Sequence, residues 1–101
     1  MDESVFLMEL EEVAGSVGIE VRYENLKREG SFTSGGLCRL KGQYLMILNS
    51  RAAARDKIEA LATALNRFDL SHVYLKPGLR EFLDRLPKLQ DAVPELEEGG
   101  P

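Results

Sequence analysis

With 101 residues, the chain has room for one domain and is too short for two. Hydrophobic residues make up 44% of it and charged residues 30%, an ordinary globular mixture that excludes wholesale disorder. The net charge of −4 disfavours a nucleic-acid binder.

The charge is unevenly spread along the chain. The first 21 residues hold six acidic and no basic side chains, whereas residues 22–57 hold eight basic and three acidic ones. Two interpretations fit the basic middle: solvated faces of one domain neutralise one another, or an anionic partner docks there.

Compartment and membrane contact are predicted from the cysteine count and from the start of the chain. Cys38 is the only cysteine, so no intrachain disulfide can form, as is usual in a reducing compartment. The acidic N-terminus lacks an apolar leader, and no apolar run approaches the roughly 18 residues of a membrane helix. We therefore expect a soluble cytoplasmic protein without a membrane segment.

The first predicted elements are a helix and a strand. Asp2 or Ser4 can cap a helix that reaches about Ala14. Its apolar side chains recur on one stripe, which consists of Phe6, Leu10, Ala14 and Val17. Residues 19–23 then alternate apolar and charged, which predicts a half-buried strand. Residues 24–36 have no period and predict a loop.

A β-hairpin follows, with Lys41 and Gly42 as its two-residue turn. This turn places Leu40 opposite Gln43, and directly opposed residues share a face. One face then carries Cys38, Leu40, Leu45 and Ile47, and the other carries Leu37, Tyr44, Met46 and Leu48. A strand that is apolar on both faces is usually covered on both sides, and a second subunit could supply one cover.

Two further helices are predicted. Asn49 or Ser50 can cap the first of them, and its apolar stripe is Ala54, Ile58, Leu61, Ala62, Leu65 and Phe68. A short extended segment at residues 73–75 precedes the other helix, which starts at Pro77 and buries Leu79, Phe82, Leu83 and Leu86. Residues 91–101 are predicted to form an acidic flexible tail.

Together these elements predict one α+β domain over residues 2–90, in the order α-β-β-β-α-(β)-α. We expect a three-stranded, mostly antiparallel sheet with three helices packed on one face.

Residues that catalyse reactions or bind metals are sparse. Cys38 and the sole histidine, His72, are too few for a zinc site. A cysteine–histidine catalytic pair is the weaker interpretation, because a cysteine within a strand usually packs as a small hydrophobic residue. The sequence therefore predicts no catalytic residue, no metal and no cofactor.

The glycine-rich segment at residues 30–36 has two interpretations. Gly35 and Gly36 could present backbone N–H groups to an anion, with Arg39 and Arg51 as further contacts. Alternatively, the glycines serve a turn or a bulge that leads into the hairpin. A nucleotide phosphate loop is excluded, because a strand follows instead of Gly-Lys-Ser/Thr and a helix.

One resemblance rests on the order of hairpin, Ile47-Leu48-Asn49 and, about a dozen residues later, Leu61-Ala62-Thr63-Ala64-Leu65-Asn66-Arg67. It resembles the core of the ImmA/IrrE zinc peptidases, whose helix carries Leu-Ala-His-Glu-Leu-Gly-His; Leu75-Lys76-Pro77 is similar to a later Leu-x-Pro element. The zinc histidines would fall on Thr63 and Arg67, and the catalytic glutamate on Ala64. The resemblance therefore implies a related core in which zinc-peptidase chemistry is excluded.

The chain is also similar to small uncharacterised bacterial proteins with a Gly-Gly-x-Cys hairpin and a Lys-Pro-x-x-Arg-Glu ending. That family implies no assigned activity.

We expect a small non-enzymatic bacterial domain that acts through protein–protein association. The predicted homodimer interface consists of Leu37, Tyr44, Met46 and Leu48. The alternative is an enzyme or anionic-ligand-binding protein that uses residues 30–36 with Arg39 and Arg51. A flat apolar patch favours association, and a pocket ringed by the glycines and arginines favours the alternative.

Overall fold

The computed structural model describes residues 2–25, 34–90 and 92–96. Within these residues, the helices are α1 (Glu3–Ser16), α2 (Ala54–Leu65) and α3 (Pro77–Asp84). The strands are β1 (Ile19–Glu24), β2 (Gly35–Leu40), β3 (Gln43–Asn49) and β4 (Glu95–Leu96). The predicted α+β class with three helices is confirmed.

The sheet is mixed and has the strand order β1-β3-β2-β4. β3 pairs antiparallel with β2 and parallel with β1, and β4 pairs parallel with β2. The prediction of three mostly antiparallel strands is therefore wrong in strand number and in the direction of β1. Alternation of apolar and charged residues identifies a strand, but it does not say which strand will be its neighbour.

The predicted hairpin register is confirmed. Leu40 pairs with Gln43 and Leu37 with Met46. Lys41 and Gly42 have φ angles of 52° and 79°. Two positive φ angles in a two-residue loop match the right-handed twist of the flanking strands, and glycine adopts such an angle without steric cost.

The helix starts follow the sequence only in part. Asp2 caps α1, since its Oδ1 accepts a hydrogen bond of 2.9 Å from the Ser4 N–H, and Pro77 stands in the first turn of α3 as predicted. Asn49 does not cap α2, which begins after Ala53 without a side-chain cap. Its Oδ1 instead accepts a hydrogen bond of 3.0 Å from the Arg51 N–H, which shapes the turn between β3 and α2.

Two short segments have features that the sequence did not predict. Residues 73–75 form no strand; Leu75 is buried there and Tyr74 is 80% exposed. In the predicted flexible tail, Glu95 and Leu96 pair with Arg39 and Leu40 of β2. The sheet therefore extends past the predicted domain limit at residue 90.

The helices cover one face of the sheet, and that face is not the one that we expected. Met46 and Leu48 are 1% and 0% exposed and lie in the main core with Leu10, Leu61 and Leu65, while Leu37 and Tyr44 pack against this core. The prediction that Leu37, Tyr44, Met46 and Leu48 form an exposed interface is therefore wrong. The helices bury these residues within one chain, and the pattern could not show this because both faces of β3 are apolar.

Candidate functional site

A cavity of about 290 Å³ opens between strand β2 and helix α2, and we call it the β2–α2 groove. Strand residues and apolar side chains of the sheet line one side, and the polar side of α2 lines the other. The lining residues are Ser34, Gly35, Gly36, Leu37, Met46, Asp56, Glu59, Ala60, Thr63, Ala64, Arg67 and Leu89.

The sheet side of the groove is an edge of β2. Among the described residues, the β4 ladder on this edge covers only Arg39 and Leu40, so it stops short of the part that lines the groove. The Arg39 N–H donates a hydrogen bond of 2.9 Å to the Pro94 carbonyl, so the segment that leads into β4 also contacts this edge.

Gly35 brings this edge close to β3. Its φ angle is 155°, and a Cβ atom there would lie 2.5 Å from the Ile47 carbonyl oxygen and 3.0 Å from Leu48 Cδ2. A Cβ on Gly36 would meet no atom of the other described residues, apart from its chain neighbours, within 4 Å. The hypothesis that glycine serves the entry into the hairpin is therefore supported at Gly35, where the backbones approach closely.

The helix side of the groove is acidic toward the start of α2. Asp56 and Glu59 are exposed and lie about one turn apart. Within the described part of the chain, neither carboxylate forms an ion pair. Ala60 and Ala64 add short side chains to the lining, and Arg67 lies beyond the C-terminal end of α2.

The four residues predicted to contact an anion do not all line one cavity. Gly35 and Gly36 line the groove, but Arg39 and Arg51 do not. Arg39 pairs with Tyr44, whereas Arg51 follows the end of β3 at Asn49. Tyr44 and Asn49 are five residues apart on one strand, which corresponds to about 17 Å. The predicted loop residues from Gly30 to position 33 lie outside the described residues.

Each of the two arginines has a local environment of its own. The guanidinium carbon of Arg39 lies 5.3 Å from the centre of the Tyr44 ring, a cation–π distance. Its Nε is buried and has no hydrogen-bond partner among the described residues. Arg51 is exposed in the turn before α2.

Cys38 is not poised as a nucleophile. Its Sγ donates a hydrogen bond of 3.4 Å to the Leu45 carbonyl, and the side chain is buried. Burial raises the pKa of the thiol, and the nearby positive charge of Arg22 offsets only part of this effect. The protonated thiol is therefore favoured, and it is the thiolate that reacts.

Neither a metal-binding cluster nor a membrane-spanning helix is present in the described residues. They contain no group of three or more histidine, cysteine, aspartate or glutamate side chains arranged to hold a metal ion. None of the helices described is both long and apolar enough to span a membrane.

No protein-family model, curated protein or solved structure matches this chain. The resemblance to ImmA/IrrE peptidases therefore stays a prediction. The three positions that would carry the zinc histidines and the glutamate are Thr63, Arg67 and Ala64, and all three line the β2–α2 groove.

The acidic wall of the groove was not predicted from the sequence. Asp56, Glu59, Thr63 and Arg67 recur every three to four residues, which places them on one side of a helix. This spacing was readable, but a polar helix side usually faces solvent alone. Only the position of β2 beside this side of α2 turns it into the wall of a groove.

Proposed function

We propose that this chain is a non-enzymatic binding domain that acts through association with another protein, and that the β2–α2 groove is its contact surface. The observation that carries this proposal is the cavity of about 290 Å³ between β2 and α2. Apolar side chains such as Leu37, Met46 and Ala60 line it together with polar side chains of α2. A concave surface of this composition offers a partner pockets for its side chains.

Enzymatic activity has less support. The buried, protonated thiol of Cys38 is a poor nucleophile. A site for an anionic ligand also has less support, because Arg39 and Arg51 do not line the groove and the two carboxylates of Asp56 and Glu59 outnumber the single Arg67 there.

A homodimer would have to use a surface other than the predicted one, since Met46 and Leu48 already lie in the core of one chain. A second copy of the chain is accordingly one of the partners that the following experiment can identify.

The test is affinity capture with matched variants. Thr63→Arg places a long side chain into the groove, and Met8→Arg adds the same charge to α1, where Met8 is 57% exposed and outside the groove. Wild type and both variants are used to capture proteins from an extract of the organism of origin, and captured proteins are identified by mass spectrometry. Circular dichroism confirms that each variant is folded.

We expect a partner that wild type and Met8→Arg retain and that Thr63→Arg loses. If every captured protein binds all three chains equally, the groove is not the contact surface, and the proposal fails.

A further inference from the structure

We propose that the chain's own C-terminal residues form an autoinhibitory strap beside the β2–α2 groove, and that the partner binds the groove after this strap has left the edge of β2. The C-terminal strap is defined as residues 88–90 and 92–96. This inference rests on the proposed function and deepens it, because it states how access to the same groove is regulated.

The C-terminal strap extends from the edge of β2 to the groove. Its β4 residues pair parallel with the end of β2, where Glu95 lies opposite Arg39. The residues before β4 therefore lie toward the start of β2, because parallel strands run in the same direction. Leu89 accordingly lines the groove together with residues 35–37. The strap thus contacts the edge of β2 at one end and the groove at the other.

Few interactions hold the C-terminal strap in place. Its ladder with β2 consists of two residue pairs, whereas β3 pairs with β2 along the whole length from Gly35 to Leu40. Leu89 and Leu96 remain 42% exposed, and no charged residue of the strap forms an ion pair with another described residue. A segment that buries little apolar surface opens at a lower free energy than the whole domain. We therefore expect the strap to leave and rejoin the edge while the domain stays folded.

Opening of the strap changes the contact surface in two ways. Leu89 leaves the lining of the groove, and the Arg39 N–H loses the Pro94 carbonyl as its acceptor. A partner that fills the groove therefore competes with the strap for the same surface. Its apparent affinity is lowered in proportion to the fraction of molecules in which the strap is open.

Substitutions in β4 provide a released form, a matched control and a locked form. In a parallel ladder, a residue bonds both neighbours of its partner, so the Arg39 carbonyl accepts from the Leu96 N–H while the Arg39 N–H donates to Pro94. Leu96→Pro removes this N–H and should release the strap, whereas Leu96→Ala keeps it. The locked form carries Leu40→Cys and Leu96→Cys at positions that are neighbours in the ladder, with Cys38→Ala so that only one disulfide can form.

The first measurement is amide hydrogen exchange followed by NMR, which shows whether the strap opens. In wild type, the Arg39 amide should exchange at least about tenfold faster than the amides of β3, which lies between β1 and β2. Leu96→Pro should accelerate exchange at Arg39 further and leave β3 unchanged, Leu96→Ala should have a smaller effect, and the disulfide should slow exchange at Arg39. If the Arg39 amide of wild type exchanges as slowly as the amides of β3, the strap does not open on its own, and the inference fails.

The second measurement shows whether opening of the strap controls binding. Each form is used to capture proteins from the same extract without reductant, and the groove-dependent partner is the one that Thr63→Arg loses. We expect Leu96→Pro to capture at least about threefold more of this partner than Leu96→Ala does, and the oxidised locked form at least about threefold less than its reduced form. The double variant Leu96→Pro/Thr63→Arg should capture none of it.

The outcomes separate the inference from the proposed function. If the groove-dependent partner binds the released and the locked forms equally, the strap does not control access, and the groove remains the contact surface. If the proteins gained by Leu96→Pro are also retained by Leu96→Pro/Thr63→Arg, they bind away from the groove, and autoinhibition of the groove is wrong. If no form captures a groove-dependent partner, the proposed function fails, and the inference fails with it.

Discussion

The two faces of the β2–β3 hairpin are similar in sequence and different in the structure. On the helix face, Met46 and Leu48 belong to the main core under α1 and α2. On the opposite face, Cys38 and Leu45 are also buried, but they lie outside that core, and Ile47 is only half-buried.

The neighbouring strand β1 shows the same asymmetry. Ile19 and Val21 lie with the helix-face core. Glu20 and Arg22, which pair with Leu45 and Ile47, form an ion pair with an Nε–Oε2 distance of 2.7 Å on the opposite face. Apolar residues on both sides of β3 therefore identify a central strand. The apolar and the charged side of β1 show which face the helices cover only once the pairing of β1 with β3 is known.

The largest effect that tests this comparison is expected from Met46→Glu. A carboxylate at a position that is 1% exposed has no partner in the apolar core, and we expect a cost of at least about 4 kcal/mol, enough to unfold a domain of ordinary stability. Ile47→Glu, one residue along on the opposite face, should cost about 1–2 kcal/mol and leave a folded protein. Urea denaturation followed by circular dichroism compares the two variants. If Met46→Glu folds and Ile47→Glu does not, the helices cover the face that carries Ile47, and the assignment of the faces is wrong.

A smaller effect is expected from Leu61→Ala in the helix that covers Met46. Leu61 is 0% exposed, and loss of its side chain should lower the free energy of unfolding by about 2–5 kcal/mol. Arg55→Ala on the outer side of α2 is the control, since the Arg55 side chain is 85% exposed, and it should change stability by less than about 0.5 kcal/mol. Equal denaturation midpoints for the two variants would contradict the packing of α2 on the sheet.

The adjacent glycines of β2 give a third comparison of the two faces. Gly35 pairs with Leu48 and Gly36 with Ile47. Gly35→Ala should destabilise the protein by about 1–3 kcal/mol, because the new Cβ meets the Ile47 carbonyl and the φ angle is unfavourable for alanine. Gly36→Ala, whose Cβ is not crowded by the described residues, should change stability by less than about 1 kcal/mol. Thermal unfolding of both variants provides the measurement, and a larger loss at Gly36 would be inconsistent with the close approach at Gly35.

The smallest expected effect is a pH dependence from Cys38 on the opposite face. Burial raises the pKa of its thiol above the unfolded value, so the folded state retains the proton to higher pH than the unfolded state does. Its contribution to stability is therefore complete below the ordinary thiol pKa of about 8.5 and is lost as the pH rises above that value. Wild type should lose more stability than Cys38→Ala between neutral and alkaline pH. If the free energy of unfolding of the two proteins falls equally with pH, the thiol has the same pKa in the folded and unfolded states.

The sequence by itself determined the local features of this protein. Lys41 and Gly42 set a two-residue turn, and the turn then set the register of β2 against β3. The stripe containing Ile58, Leu61 and Leu65 determined the buried side of α2. These features were predictable because each depends on residues that are close along the chain.

Only the tertiary structure decided the parallel pairing of β1 with β3, the addition of β4 and the face that the helices cover. It also decided the candidate site, since Gly35 and Asp56 come together only when α2 folds back beside the edge of β2. Such contacts join segments that are distant in sequence, and many pairings bury similar apolar area, so a hydrophobic pattern alone does not choose among them.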